Sequence, residues 1–244
     1  MISGIPHLTF SETVDFASRT SRAKFELSDD EIHLWRVEAD STNPAEARAA
    51  WPILSDEERQ RAMCHRNDLV AREFIASRAA QRSILGRYME CDPRAVALMH
   101  DEQGRPAIGA EAGRTLTLSI SRSRGMTLIG LACGGNIGID VEHVPPPPGC
   151  GDLPWGFVRE HAPPEVVLHG PSCPRDDVKF YVAWTRLEAY AKACANGLTG
   201  LRNSYAAAAS RTWMSSFSLS EDFIGALAET GRPPRAVIAR QYEA

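Results

Sequence analysis

The clearest periodic signal lies toward the C-terminal side. Between residues 177 and 196, Phe180, Ala183, Leu187, Tyr190 and Cys194 recur at helical spacing and make one apolar stripe, which predicts an amphipathic helix. A second helical pattern runs from about 55 to 90, where Phe74, Ile75, Ile84, Leu85 and Met89 stand among many arginines. Ser55 followed by acids in LSDEERQRAM marks its start, LSDDE at 27–31 carries the same kind of signal, and Asp92-Pro93 breaks the pattern. IHLWRVEA (32–39) alternates as a strand does, and LTLSIS (116–121) and TLIGLACG (127–134) read as two more. Gly134-Gly135-Asn136 is expected to be a hairpin connection into IGIDVE, and residues 212–228 hold one or two further strands before a basic end. DEQGRPAI (101–108) reads as a turn, PPPPGCGDLP (145–154) as a linker or rigid loop, and residues 1–30 as a loosely docked lead-in. Strands and helices interleave without regular β-α alternation, which favours an α+β fold.

Composition adds exclusions. With 43% hydrophobic and 24% charged residues over 244 positions, the chain can bury a core and is not disordered as a whole. A net charge of −4 argues against a nucleic-acid partner. No apolar run reaches membrane-spanning length, and the N-terminus has neither a cationic start nor a long apolar stretch, so no signal peptide is expected. The six cysteines are scattered without C-x-x-C pairs, which fits a reduced cytoplasmic protein without zinc.

The chemistry sits where the strand and helix patterns end. In GIDVE (138–142), alternation turns Ile137, Ile139 and Val141 to one face and puts Asp140 and Glu142 together on the other. Adjacent carboxylates raise each other's pKa unless a cation stands between them, so this is either an open, charged sheet edge or a cation site. On the 177–196 helix, Glu188 and Lys192 are four apart: an exposed ion pair, or functional groups. Arg59, Arg61, Arg66, Arg72, Arg78, Arg82 and Arg87 make either a solvated face or a phosphate-binding one. Taken together, hard carboxylate oxygens, forked arginine donors and a lysine point to Mg²⁺-dependent transfer from a phosphate ester or anhydride.

GIDVE followed by WTRLEAYAK resembles the signature pair of the Sfp-type 4′-phosphopantetheinyl transferases. LSDEERQRA, REFIASRAAQRSILGRYMECDP, GRPAI, LSISRS, IGIDVEHV and FYVAWTRLEAYAKACANGL stand in that family's order, covering roughly residues 32 to 228. The resemblance implies a pseudo-twofold α+β fold of two similar halves, each a small antiparallel sheet on a long helix, with the active site in the cleft between them. After a lead-in at 1–30, the halves would be 31–135 and 136–244. It implies Mg²⁺ held by Asp140, Glu142 and Glu188, coenzyme A as co-substrate, and a carrier protein (acyl, peptidyl or aryl) as acceptor. Glu188 would be the general base and Lys192 the partner of the leaving phosphate, also contacting coenzyme A. Arg105, Ser121 and Arg122 match coenzyme A-contacting positions, and Arg72 and Arg78 are further candidates. Two positions depart from the pattern: Arg122 stands where the family has histidine, and Leu187 where it has lysine. Leu187 lies on the apolar stripe and reads as packing. A cytoplasmic monomer is expected. The competing readings are a Mg²⁺-dependent phosphohydrolase and a non-catalytic coenzyme A- or carrier-binding relative.

Overall fold

The computed structural model describes residues 2–16, 24–39, 43–100, 106–108, 116–145, 153–163, 170–172, 175–194 and 211–243. Strands β1 (Glu12–Asp15), β2 (Glu31–Glu38), β5 (Leu116–Ser123), β6 (Met126–Cys133) and β10 (Ala236–Glu243) form a five-stranded sheet in the order β1-β10-β2-β6-β5. Strands β7 (Asn136–His143), β8 (Thr212–Ser218) and β9 (Phe223–Thr230) form a three-stranded sheet in the order β7-β9-β8. A short pair, β3 (Leu98–His100) with β4 (Pro106–Ile108), stands apart. The described helices are α1 (Pro44–Ala50), α2 (Asp56–Met63), α3 (Asp68–Met89), α4 (Trp155–His161) and α5 (Asp176–Ala193). The fold is α+β, and no described helix is long and apolar enough to cross a membrane.

Side-chain parity builds the layers. Trp35, Val37, Ile129 and Leu131 pack against Ala80, Ile84, Leu85 and Tyr88 of α3. The alternate residues Ile32, Leu34, Leu128 and Ala132 pack against Ile137, Ile139, Val141 and Leu227 of the three-stranded sheet. β6 is thus covered on both faces, which is why its sequence is apolar throughout except for the buried Thr127, rather than alternating. Each fully buried large side chain here contributes about 1.5–3 kcal/mol. On the far face of the three-stranded sheet, Ala189 and Ala193 of α5 lie against Ala226 and Ala228.

Several expectations change. LSDDE starts no helix: it turns at Asp29-Asp30 into β2. The long arginine-rich helical stretch is two helices, because Asn67 starts α3 afresh by accepting from the Leu69 and Val70 N–H groups at 2.8 and 3.3 Å. α2 does begin at the expected cap, with Ser55 and Glu58 bonding each other's backbone N–H reciprocally. Gly134-Gly135 is not a hairpin. Both glycines have positive φ (60° and 75°), and the turn carries the chain out of the five-stranded sheet into the three-stranded one. Arg235 holds that turn, donating to the carbonyls of Cys133 and Gly134 at 3.1 and 3.3 Å.

The lead-in is stitched into the sheets rather than loosely docked. Leu8 and Ser218 bind through backbone bonds near His7, and β1 runs parallel to β10. Nor is the larger sheet purely antiparallel, since β10, unforeseen in the sequence, joins β1 and β2 in parallel. The expected turn around Gly104 and the proline run after Pro145 lie largely outside the described residues, as does Arg105.

Candidate active site

Gly138 sets the site's geometry. A Cβ added there would stand 1.9 Å from the Ala189 carbonyl oxygen and 2.5 Å from the Ala193 nitrogen, so α5 rests directly on the β7 backbone. That close approach brings the helix's polar edge over the carboxylate face of β7. Lys192 does not pair along its own helix as an exposed partner of Glu188. Its Nζ reaches across to β7, donating to Asp140 Oδ1 at 2.8 Å and to the Ile139 carbonyl at 3.0 Å.

Asp140 is 4% exposed, which rules out the open-edge reading of this residue. Two side-chain donors, Lys192 and the Ser121 hydroxyl at 2.7 Å, converge on Oδ1. Oδ2 is buried and has no hydrogen-bond partner among the described residues. Burial pushes the Asp140 carboxyl above its ordinary range, although Lys192 and Ser121 pull it back. Glu142 and Glu188 are likewise pushed up, first by burial and then by the Asp140 charge, and Glu142 adds to the push on Glu188. Trp184 on α5 and Ser123 on β5 both hydrogen-bond Glu142. The structure therefore brings Asp140, Glu142, Glu188 and Lys192 into one electrostatic unit. Among the described residues, however, no three His, Cys, Asp or Glu side chains are gathered closely enough to hold a metal ion as they stand.

The donor set still fits a hard divalent cation. Carboxylate oxygens are the ligands Mg²⁺ takes, and a buried carboxylate oxygen without a partner among the described residues, in a group whose charges raise one another's pKa, is what such an ion would satisfy.

Sequence neighbours Ser121 and Arg122 point to opposite faces of β5. Ser121 joins Asp140, while Arg122 lines a cavity of about 260 Å³ with Arg61, His65, Phe74, Ser123 and Arg124. Ser123 lines that cavity and also bonds Glu142 at 3.0 Å, so the cavity adjoins the carboxylates. Arg78 is not on a solvated face. It is buried, it donates to Gln81 at 2.9 Å, and burial together with the nearby Arg122 charge lowers its pKa to about 10. Arg82 is structural: Glu58 accepts from it at 2.6 Å, and the carbonyl of Val96 at 3.0 Å. Arg72 is half-buried on α3. Leu187 is fully buried against Tyr190 and Ala191, where a lysine would have to bury its ammonium. A larger cavity, about 600 Å³ beside Phe16 and Arg87, is lined by none of Asp140, Glu142 and Glu188.

Sequence reasoning missed Ser119 and Ser123. Their only signal is alternation with Ser121 along β5, which gives no chemistry until the facing strand is known.

No protein-family model matches the chain. Among curated proteins, it is 32% identical over 180 residues to the 4′-phosphopantetheinyl transferase HetI of Nostoc sp., covering 72% of this chain and 73% of that protein. It is 30% identical over 149 residues to a Synechocystis sp. protein named provisionally as a 4′-phosphopantetheinyl transferase, covering 61% of this chain and 59% of that one.

Proposed function

The chain belongs to the 4′-phosphopantetheinyl transferases, and from that premise we propose that it moves the 4′-phosphopantetheine group of coenzyme A to the acceptor serine of an acyl, peptidyl or aryl carrier protein, with Mg²⁺, releasing adenosine 3′,5′-bisphosphate. The observation that supports this most directly is the buried Asp140 with one unpartnered oxygen, set beside Glu142, Glu188 and Lys192.

Asp140, Glu142 and Glu188 would hold the ion, which when bound supplies charge neutralisation to the pyrophosphate. The remaining work falls to side chains of this protein. A Glu188 carboxylate oxygen takes the proton as the carrier serine oxygen bonds to the β-phosphorus, and the raised pKa of that carboxyl suits it to the task. The bond from that phosphorus to the bridging oxygen breaks, and its electron pair leaves on the nucleotide's 5′-phosphate. Lys192 offers an ammonium to that departing charge. Arg122, which lines the cavity, would bind the phosphates of coenzyme A, with Arg72, Arg78 and Arg105 as further candidates. Ser121, expected to share that task, has its buried hydroxyl committed to Asp140 and would serve the site through that carboxylate instead. The two helix-on-sheet units are read as pseudo-twofold halves, 31–135 and 136–244 after the 1–30 lead-in, with β1 and β10 crossing these bounds to complete the first half's sheet, and the protein as a cytoplasmic monomer.

Intact-mass measurement of a panel of carrier proteins, incubated with the protein, coenzyme A and Mg²⁺, tests this. At least one carrier is expected to gain a single phosphopantetheine. Unchanged masses across the panel would overturn the proposal, and phosphate release without a mass gain would favour a phosphohydrolase instead.

A further inference from the structure

The edges of the two sheets meet at β5 and β7 without forming a backbone ladder. β5 ends the order of one sheet and β7 ends the order of the other. The junction is made by serine side chains from one face of β5. Ser119 Oγ accepts from the Ile139 N–H at 3.0 Å, and Ser123 Oγ accepts from the His143 N–H at 3.1 Å. Between them, Ser121 donates to Asp140 Oδ1. Ser123 does both jobs, because its hydroxyl also donates to Glu142 Oε2 at 3.0 Å.

That double engagement fixes a direction. A free hydroxyl rotates to suit its neighbours, but one that accepts a backbone N–H must send its own hydrogen elsewhere. At Ser123 the acceptor is Glu142 Oε2. We infer that Ser123 is a positioning residue for Glu142, locking one carboxylate oxygen against the sheet junction so that the group is held ready for a divalent cation, and that Ser119 is a latch of the same kind without any cation role. The inference rests on the reading of Asp140, Glu142 and Glu188 as cation ligands. Groups that orient a ligating carboxylate tune metal affinity without touching the metal.

The two serines give an internal control. Ser123→Ala, Ser123→Thr and Ser119→Ala would be purified, and each titrated with Mg²⁺ alone by calorimetry and by thermal melting. Carrier transfer would then be measured across Mg²⁺ concentrations. Ser123→Ala is expected to weaken Mg²⁺ binding about tenfold or more, the usual scale for an orienting partner of a ligand. Its transfer rate should fall at limiting Mg²⁺ and recover as Mg²⁺ is raised. Ser123→Thr keeps the hydroxyl on a strand residue and should restore parental affinity. Ser119→Ala breaks the same kind of sheet-to-sheet bond, so it should lower the melting temperature while leaving Mg²⁺ affinity unchanged. Parental Mg²⁺ affinity in Ser123→Ala, equal weakening in Ser119→Ala, or no rescue by threonine would each overturn the inference while the functional reading stands. A parent protein that neither binds Mg²⁺ nor modifies a carrier would overturn both.

Discussion

Glu188 is pushed toward its protonated form by burial and by the charges of Asp140 and Glu142, with Lys192 pulling the other way. Its folded pKa lies above its unfolded value of 4.5, so the folded chain keeps this proton to higher pH than the unfolded chain does. Stability therefore falls as pH rises from the unfolded value through the raised folded one, then levels off. Glu188→Gln removes that loss. The variant is expected to melt with the parent in acid and above it near neutrality, in scans over roughly pH 4 to 8. Its carrier transfer should drop by about a hundredfold or more, the scale of a positioned general base. Near-parental transfer together with a lower melting point at neutral pH would return Glu188 to an ordinary helix surface. At this scale the sequence posed the right question: the i,i+2 spacing of Asp140 and Glu142 asked for either water or a cation, and at the buried Asp140 the positive group that the described structure supplies is the Lys192 ammonium, 2.8 Å away. The partner of Lys192 was not legible, because an i,i+4 glutamate on the same helix competes on paper with a carboxylate on a distant strand.

Among the elements, the contact of α5 with β7 decides the site. The apolar stripe located α5 to within a few residues, and Leu187 is buried as its place on the stripe requires. Gly138 looked like an ordinary strand residue, since its role depends on how closely a helix approaches from outside the strand. Gly138→Ala would put a Cβ 1.9 Å from the Ala189 carbonyl oxygen, on backbone atoms that cannot rotate away. The helix must then lift, taking Lys192 and Glu188 off the carboxylate face of β7. We expect a stability loss of about 1–3 kcal/mol or more from overpacking. Transfer should fall on the order of a hundredfold, since misplacement of about 1 Å has that effect. Parental melting and parental transfer would show that the helix does not set the site. The elements that escaped sequence reading share a cause. β10 lies in a short basic tail, with only Ala239 fully buried, so its inward face carries little apolar signal. The Gly134-Gly135 turn has the left-handed backbone of a hairpin, and only the sheet order shows that the strands flanking it part company.

The whole molecule is bound together by its C-terminal strand. β10 lies between β1 and β2, so the last described residues complete a sheet otherwise drawn from the first 135. Arg235, just before β10, ties that strand to the rest: Glu229 accepts from it within the three-stranded sheet, and it donates to the Gly134 carbonyl in the turn between sheets. The sheets also share one core, in which Ile32 and Leu128 meet Ile139 and Leu227. Neither helix-on-sheet unit can separate without exposing that core and opening the buried Glu229–Arg235 pair. Two helix-on-sheet units joined in this way are expected to unfold as one. Scanning calorimetry should give a single transition whose calorimetric and van't Hoff enthalpies agree. Deleting residues 236–243 removes the strand that β1 and β2 both pair with, leaving β1 without a neighbour and β2 with an open edge. That truncation should abolish the cooperative transition altogether, including the part reported by α5, which β10 does not build. Two separate transitions in the full chain, or a truncated chain that still melts cooperatively, would mean that the halves hold together independently and that the site between β7 and α5 does not depend on the sheet beneath it.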